Sequence, residues 1–221
     1  MALPLLLCAL AIVSAVNPAR ADTSVTLPGE AGHLDGGARL FLANPDGLDA
    51  IAADVPAAAG GPFPKTGASF LLYGGGATIV PGPLRVQMSG WTGSLQANAG
   101  SKSTTWELSM GTINLEQRYN QGSFEVTGGI GVDYGQFTGA LDDAASGQLN
   151  RMESNLWGYS ATAGLRWPAQ SRLAFFLRTG YEWLQGDGVW HGALASEGRL
   201  GASHINLDGP SATLQVELGF Q

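Results

Sequence analysis

Long stretches of this chain alternate apolar and polar residues with a period of two, and that pattern demands extended strands with two unlike faces. In segment 156–167, Trp157, Tyr159, Ala161, Ala163, Leu165 and Trp167 share one face, while Gly158, Ser160, Thr162, Gly164 and Arg166 share the other. In 124–134, Phe124, Val126, Gly128, Ile130, Val132 and Tyr134 oppose Glu125, Thr127, Gly129, Gly131 and Asp133. Segment 173–183 sets Leu173, Phe175, Leu177, Thr179, Tyr181 and Trp183 against Ala174, Phe176, Arg178, Gly180 and Glu182. The same reading holds for Ala212, Leu214, Val216, Leu218 and Phe220 against Ser211, Thr213, Gln215, Glu217 and Gly219. Leu84, Val86 and Met88 likewise oppose Arg85, Gln87 and Ser89, and a weaker alternation over 70–79 contains Tyr73-Gly74-Gly75-Gly76.

Segment 106–118 also alternates, but its phase slips. Trp106, Leu108 and Met110 are apolar, and then the apolar set becomes Ile113 and Leu115. A one-residue bulge at Gly111 would repair the slip, leaving Trp106 on the apolar face and Glu107, Asn114, Glu116 and Arg118 together on the polar one. Two short strands with a turn at Gly111 are the alternative.

Strands of about 11 residues match the length that crosses a bilayer at a tilt, whereas strands of soluble proteins average five or six. Aromatic residues gather at strand ends: Trp106, Tyr134, Trp157, Tyr159, Trp167, Tyr181, Trp183 and Phe220. Such rings belong at the headgroup layer of a membrane. Short connections (81–83, 120–122, 168–171) alternate with stretches read as longer loops (98–102, 139–154, 186–208), the rhythm of short inner turns and long outer loops. The predicted fold is therefore an all-β, antiparallel, up-and-down transmembrane β-barrel of about eight strands over 67–221. Seven strands are clear. Residues 38–43, with Leu40 and Leu42 outward, are the candidate eighth, in an N-terminal region (22–66) otherwise read as a tail or plug. There Leu48, Ile51 and Val55 would line one face of a short helix over 46–55, stopped by Pro56.

Composition agrees. Charged residues are 13% of the chain, glycine numbers 33 and the net charge is −7. Nucleic-acid binding would need a basic patch, and disorder would need high charge with few aromatics. Residues 1–21 read as an export signal: an apolar run over 3–16, then Ala19-Arg20-Ala21, with cleavage expected after Ala21. The one cysteine, Cys8, lies inside that signal behind Leu7, a bulky residue where lipid attachment wants a small one. The exported part from Asp22 thus has neither disulfide nor thiolate chemistry.

The ending Leu214-Gln215-Val216-Glu217-Leu218-Gly219-Phe220-Gln221 resembles the C-terminal strand recognised by the outer-membrane insertion machinery. With the alternation and aromatic rings, it makes the exported chain similar to the small bacterial outer-membrane β-barrel proteins. The resemblance implies outer-membrane lipid and that machinery as partners. It names neither an activity nor a surface partner.

The polar face supplies a lumen network: Arg85, Glu107, Glu116, Arg118, Glu125, Asp133, Arg166, Arg178, Glu182 and Glu217. Interlocked carboxylate–guanidinium pairs filling a narrow barrel are the expectation. Six acids against four arginines would favour cations if a narrow path existed instead. No catalytic constellation, metal cluster or cofactor motif is read. A lipid A deacylase would need a serine two residues from a histidine on the outer face. His191 is followed by Gly192 and Ala193, and His204 by Ile205 and Asn206, while Ser203 would point away from His204. His191 and His204 are expected in a solvated loop. His33 and Asp35, near Glu30, are expected in a solvated tail. Asp142 and Asp143 are read as a solvated acidic loop rather than a calcium site. The rival architecture is a soluble, lipocalin-like barrel with the apolar face turned inward around an apolar ligand.

Overall fold

The computed structural model describes residues 32–44, 48, 63–169, 172–196 and 203–220. The export signal and the helix expected over 46–55 fall outside the described residues, Leu48 excepted. Among the described residues the chain forms strands β1 (Gly32–Leu42), β2 (Ser69–Ile79), β3 (Leu84–Ala99), β4 (Lys102–Gln121), β5 (Phe124–Asp143), β6 (Gln148–Trp167), β7 (Leu173–Gly192), β8 (Ser203–Asn206) and β9 (Gly209–Phe220), and a helical turn at Ala193–Ser196.

Every neighbouring pair is antiparallel, and β9 pairs with both β7 and β1, so the sheet closes on itself. β8 and β9 are two parts of one wall strand. β8 pairs with β7 through Gln185–Asn206, β9 through Glu182–Gly209, and the Leu207 amide bridges the interval by donating to the Leu184 carbonyl at 2.9 Å. The ring therefore has eight wall positions. A sideways walk from Gly32 passes Ile79, Val86, Leu115, Ile130, Ala161, Tyr181 and Pro210. Pro210 precedes Ser211, the partner of Phe41, so the walk returns level with Leu42, about ten residues along the strand where it began. Eight strands with that stagger tilt by about 40°, and side chains then fill the bore.

β1 covers the expected 38–43 strand and begins earlier, at Gly32. The larger difference is strand length. β1 and β2 have 11 residues each and rise about 27 Å along the axis, close to the thickness of a bilayer core. β4, β5, β6 and β7 have 20 each and rise about 50 Å, so this side of the tube continues well past a membrane. Among the described residues, the stretches read as long outer loops are mostly strand. The 98–102 connection is a two-residue turn in which Gly100 has a φ of +62°, a conformation that favours glycine. The 139–154 stretch is the β5–β6 hairpin, turning over 144–147. Within 186–208, β7 runs on to Gly192 before the helical turn and β8.

There is no bulge at Gly111. β4 stays in unbroken register with β3 from Leu84–Gln117 to Ala99–Lys102 and with β5 along its whole length. Trp106, Leu108, Met110, Thr112, Asn114, Glu116 and Arg118 are all buried and point inward in one phase. What changes at Gly111 is the chemistry of the two faces.

Candidate functional site

The bore has two storeys. The lower one, near the chain's C-terminal end and the short turns, is polar. Arg85 is fully buried at its centre and pairs with Glu217, with Glu116 at 3.4 Å and with Glu125 at 3.9 Å. Arg166 Nε donates to Glu217 at 2.8 Å, Arg178 Nε donates to Glu116 at 2.8 Å, Arg118 pairs with Glu125, and Arg39 pairs with Glu182. Phe176 lies close to two guanidiniums, those of Arg85 (4.5 Å) and Arg178 (4.7 Å), whose charge its ring faces attract. Arg118 also donates to the Gly82 carbonyl at 3.3 Å and Arg166 to that of Ala169, which ties the network to the lower turns.

Nine of the ten residues expected in the lumen network are buried there. Glu107 is not: it is exposed on the outer wall, where its carboxylate accepts a 3.4 Å hydrogen bond from Thr138. The expected bulge would place it inside, and the regular strand places it outside. The sequence reading missed Arg39, Asp35 and His33, all on β1. Asp35 accepts from the amides of Gln87 (2.9 Å) and Gln215, and His33 is fully buried with its Nδ1 3.5 Å from Arg166 Nη2. They do not form a solvated tail.

The upper storey is apolar. Trp106, Leu108, Phe137, Leu141, Met152, Leu156, Leu184, Trp190 and Ile205 form one buried cluster with Phe41, Phe70, Leu72 and Trp91. Leu48 and Phe63, from the β1–β2 connection, and Leu194, from the helical turn, complete it. Trp106 stacks on Phe137 with ring centroids 5.5 Å apart. Gly139 makes room for it, since a Cβ there would lie 2.2 Å from the indole. Trp106 is therefore a core residue and not a membrane-interface one.

The outer wall has the complementary layout. Around the lower storey it is apolar and exposed: Ile130, Val132, Leu165, Leu173, Phe175, Leu177, Leu214 and Leu218, with Phe124, Trp167 and Phe220 along the lower edge. At its upper edge Tyr134 packs on Trp157 (4.7 Å), Tyr159 stacks on Trp183 (5.0 Å), and Tyr181 meets Trp183 (4.8 Å). Above that row the outward residues are mainly polar: Ser109, Gln136, Asn155 and Asp187 lie in one lateral line, and Glu107, Thr138 and Glu153 in the next. His204 is exposed there, 3.1 Å from Asp187, on a strand rather than in a loop, and His191 is exposed on β7. Ser203 points inward and accepts from the Trp190 indole at 3.3 Å, so it cannot join that pair as a nucleophile. Asp142 and Asp143 end β5, and the Ser101 hydroxyl donates to Asp143 at 2.9 Å, holding its carboxyl below the usual range.

A closed antiparallel tube with an apolar waist, aromatic rows and a charged bore has the architecture of a transmembrane β-barrel. A lipocalin-like arrangement would need Trp157 and Tyr159 inside, and both are about 60% exposed. The structure is similar to that of a major outer membrane protein from Thermus thermophilus, with a TM-score of 0.55 and 13% sequence identity over 86% of this chain and 100% of that one. No family model matches the sequence, and no curated protein does.

Proposed function

We propose that this protein is a sealed barrel of the outer membrane that presents its protruding sheet to the surroundings as a surface for interaction, without catalysis. The carrying observation is that the bore is filled at both heights. Ion pairs occupy the lower storey, and packed aromatic and aliphatic side chains occupy the upper one. A cation path would have to cross that apolar plug, whose residues offer no oxygen ligand to replace an ion's water. Export with cleavage after Ala21, and insertion through the C-terminal strand, belong to the same proposal. The place of β9 as the strand that closes the ring against β1 suits the second of these.

The test is made on protein refolded into liposomes. Expected are heat-modifiable migration on gels, resistance to sarkosyl extraction and no ion conductance above that of bare bilayers. Steady cation-selective steps would replace this reading with a pore. Monodisperse folded protein in plain buffer would remove the membrane from it altogether.

A further inference from the structure

Two carboxylates in the bore have no arginine partner among the described residues: Asp35, which accepts from two side-chain amides, and Asp133. Asp133 is fully buried at the junction of the two storeys, and neither of its oxygens has a hydrogen-bond partner among the described residues. Thr112 faces it directly across the β4–β5 ladder. Asn114, Gly131, Ser160 and Glu182 form the adjacent lateral line. A Cβ on Gly131 would lie 2.2 Å from Asn114 Oδ1 and 2.6 Å from Ser160 Oγ, so these oxygens converge on the space that glycine leaves open. The Thr112 and Ser160 hydroxyls stand beside Asp133 without meeting full hydrogen-bond geometry, and Glu182 and the Arg39 guanidinium, itself paired with Glu182, act on it in opposite senses. Asn114 Oδ1, Thr112 Oγ1, Ser160 Oγ and Glu182 Oε2 are also buried without a hydrogen-bond partner among the described residues. Such a gathering of orphaned oxygens is costly unless something neutralises and coordinates it.

Charge states what that is. Within the lower bore the described carboxylates are Asp35, Glu116, Glu125, Asp133, Glu182 and Glu217. The guanidiniums are Arg39, Arg85, Arg118, Arg166 and Arg178. All five arginines are engaged, and Arg39 takes only one oxygen of Glu182. The net deficit is one positive charge, and of the two carboxylates without an arginine partner Asp35 is held by the Gln87 and Gln215 amides, which leaves Asp133. We propose that the cradle of Thr112, Asn114, Asp133, Ser160 and Glu182 holds a single monovalent hard cation of sodium size, coordinated entirely by oxygen. Hard cations take carboxylate, amide and hydroxyl oxygens, and the deficit of one charge disfavours a divalent ion.

The full-length protein is refolded into zwitterionic micelles in sodium chloride or in choline chloride at equal ionic strength. The thermal unfolding midpoint is read against salt concentration. A sodium-loaded cradle raises the midpoint by about 4 °C at saturation, an increase absent with choline, which is too large to enter. Asp133→Asn and Gly131→Ala, the second placing a methyl group in the cradle, abolish the difference between the salts. Should either variant fail to fold, wild-type crystals grown in sodium chloride show a peak closer to the Asp133 carboxylate than a hydrogen-bonded water could lie, and crystals grown in choline chloride lack it. Equal midpoints in the two salts would overturn the proposal in favour of ordered water or a shared proton. A rise with calcium chloride and none with sodium would overturn it in favour of a divalent site.

Discussion

The two storeys of this tube are inverse solutions of one problem. In the lower half the wall is apolar outside and polar inside, and in the upper half it is polar outside and apolar inside. The backbone does not register the change: β4 to β7 run straight through it in a single phase. The solvent does. Where lipid surrounds the barrel, hydrophobicity cannot drive packing of the bore, and buried ion pairs and amides fill it. Where water surrounds it, the ordinary rule returns and the bore becomes a hydrophobic core. A membrane-embedded barrel and a water-exposed one are thus stacked on the same strands.

The comparison breaks most sharply if a charge is placed on the wrong storey. Leu108 is fully buried among aromatic and aliphatic side chains. Leu108→Asp places an unpaired carboxylate there and should cost more than about 4 kcal/mol. The expected readout is loss of the compact, heat-modifiable band, with the apolar neighbours collapsing out of register. A carboxylate tolerated at this position would mean that the upper bore is wet.

The lower storey should be sensitive to the opposite change. Arg85→Met removes the cation shared by Glu217, Glu116 and Glu125, stranding negative charge in a bore that cannot release it to water. A loss of roughly 3–5 kcal/mol is expected in urea titration of the micelle-bound protein. Restoring charge balance with Arg85→Met and Glu217→Gln together should recover part of it. If the single variant costs nothing, the lower bore is hydrated enough to screen its charges.

The tryptophans sharpen the boundary between the halves. Trp91, Trp106 and Trp190 are buried in the upper core, while Trp157 and Trp167 are exposed on the apolar waist and Trp183 packs there against Tyr159 and Tyr181. Trp106→Ala should cost about 3–5 kcal/mol, the effect of a large cavity beside Phe137. Trp157→Ala should cost only about 1 kcal/mol, mostly its contact with Tyr134. In single-tryptophan variants, brominated lipid should quench Trp157 and leave Trp106 bright. Equal quenching of both would return Trp106 to the membrane interface.

The misplacement of Trp106 has a physical origin. The waist is legible in the sequence because large apolar residues on one face contrast with glycine, hydroxyls and charge on the other, as in β5 and β6. The upper halves of the same strands also alternate, but with threonine, asparagine and glutamate outward and leucine, methionine and tryptophan inward. A reader holding one rule for both halves sees a slip at Gly111 and polar loops above it. The signal is the reversal itself, repeated in β4, β5, β6 and β7 at neighbouring positions. β1 is hard to read for another reason. Its outward series, Leu34, Gly36, Ala38, Leu40 and Leu42, is diluted by glycine and alanine, so its inward residues His33, Asp35 and Arg39 do not stand out as one face of a strand.

The smallest expected effect tests the same boundary at one residue. Glu107 and Glu116 share a strand, a charge and a side-chain length, and differ in the parity of their positions. Continuous alternation sends Glu116 inward to Arg178 and Arg85, and Glu107 outward to Thr138 and water. Glu116→Gln should cost about 3 kcal/mol, because it unbalances two buried guanidiniums. Glu107→Gln should stay within about 0.5 kcal/mol, because an exposed carboxylate hydrogen-bonded to one hydroxyl loses little. A bulge at Gly111 would put both in the bore and make the two losses alike. Urea midpoints for this pair of variants therefore decide whether the strand is regular or broken where its chemistry turns over.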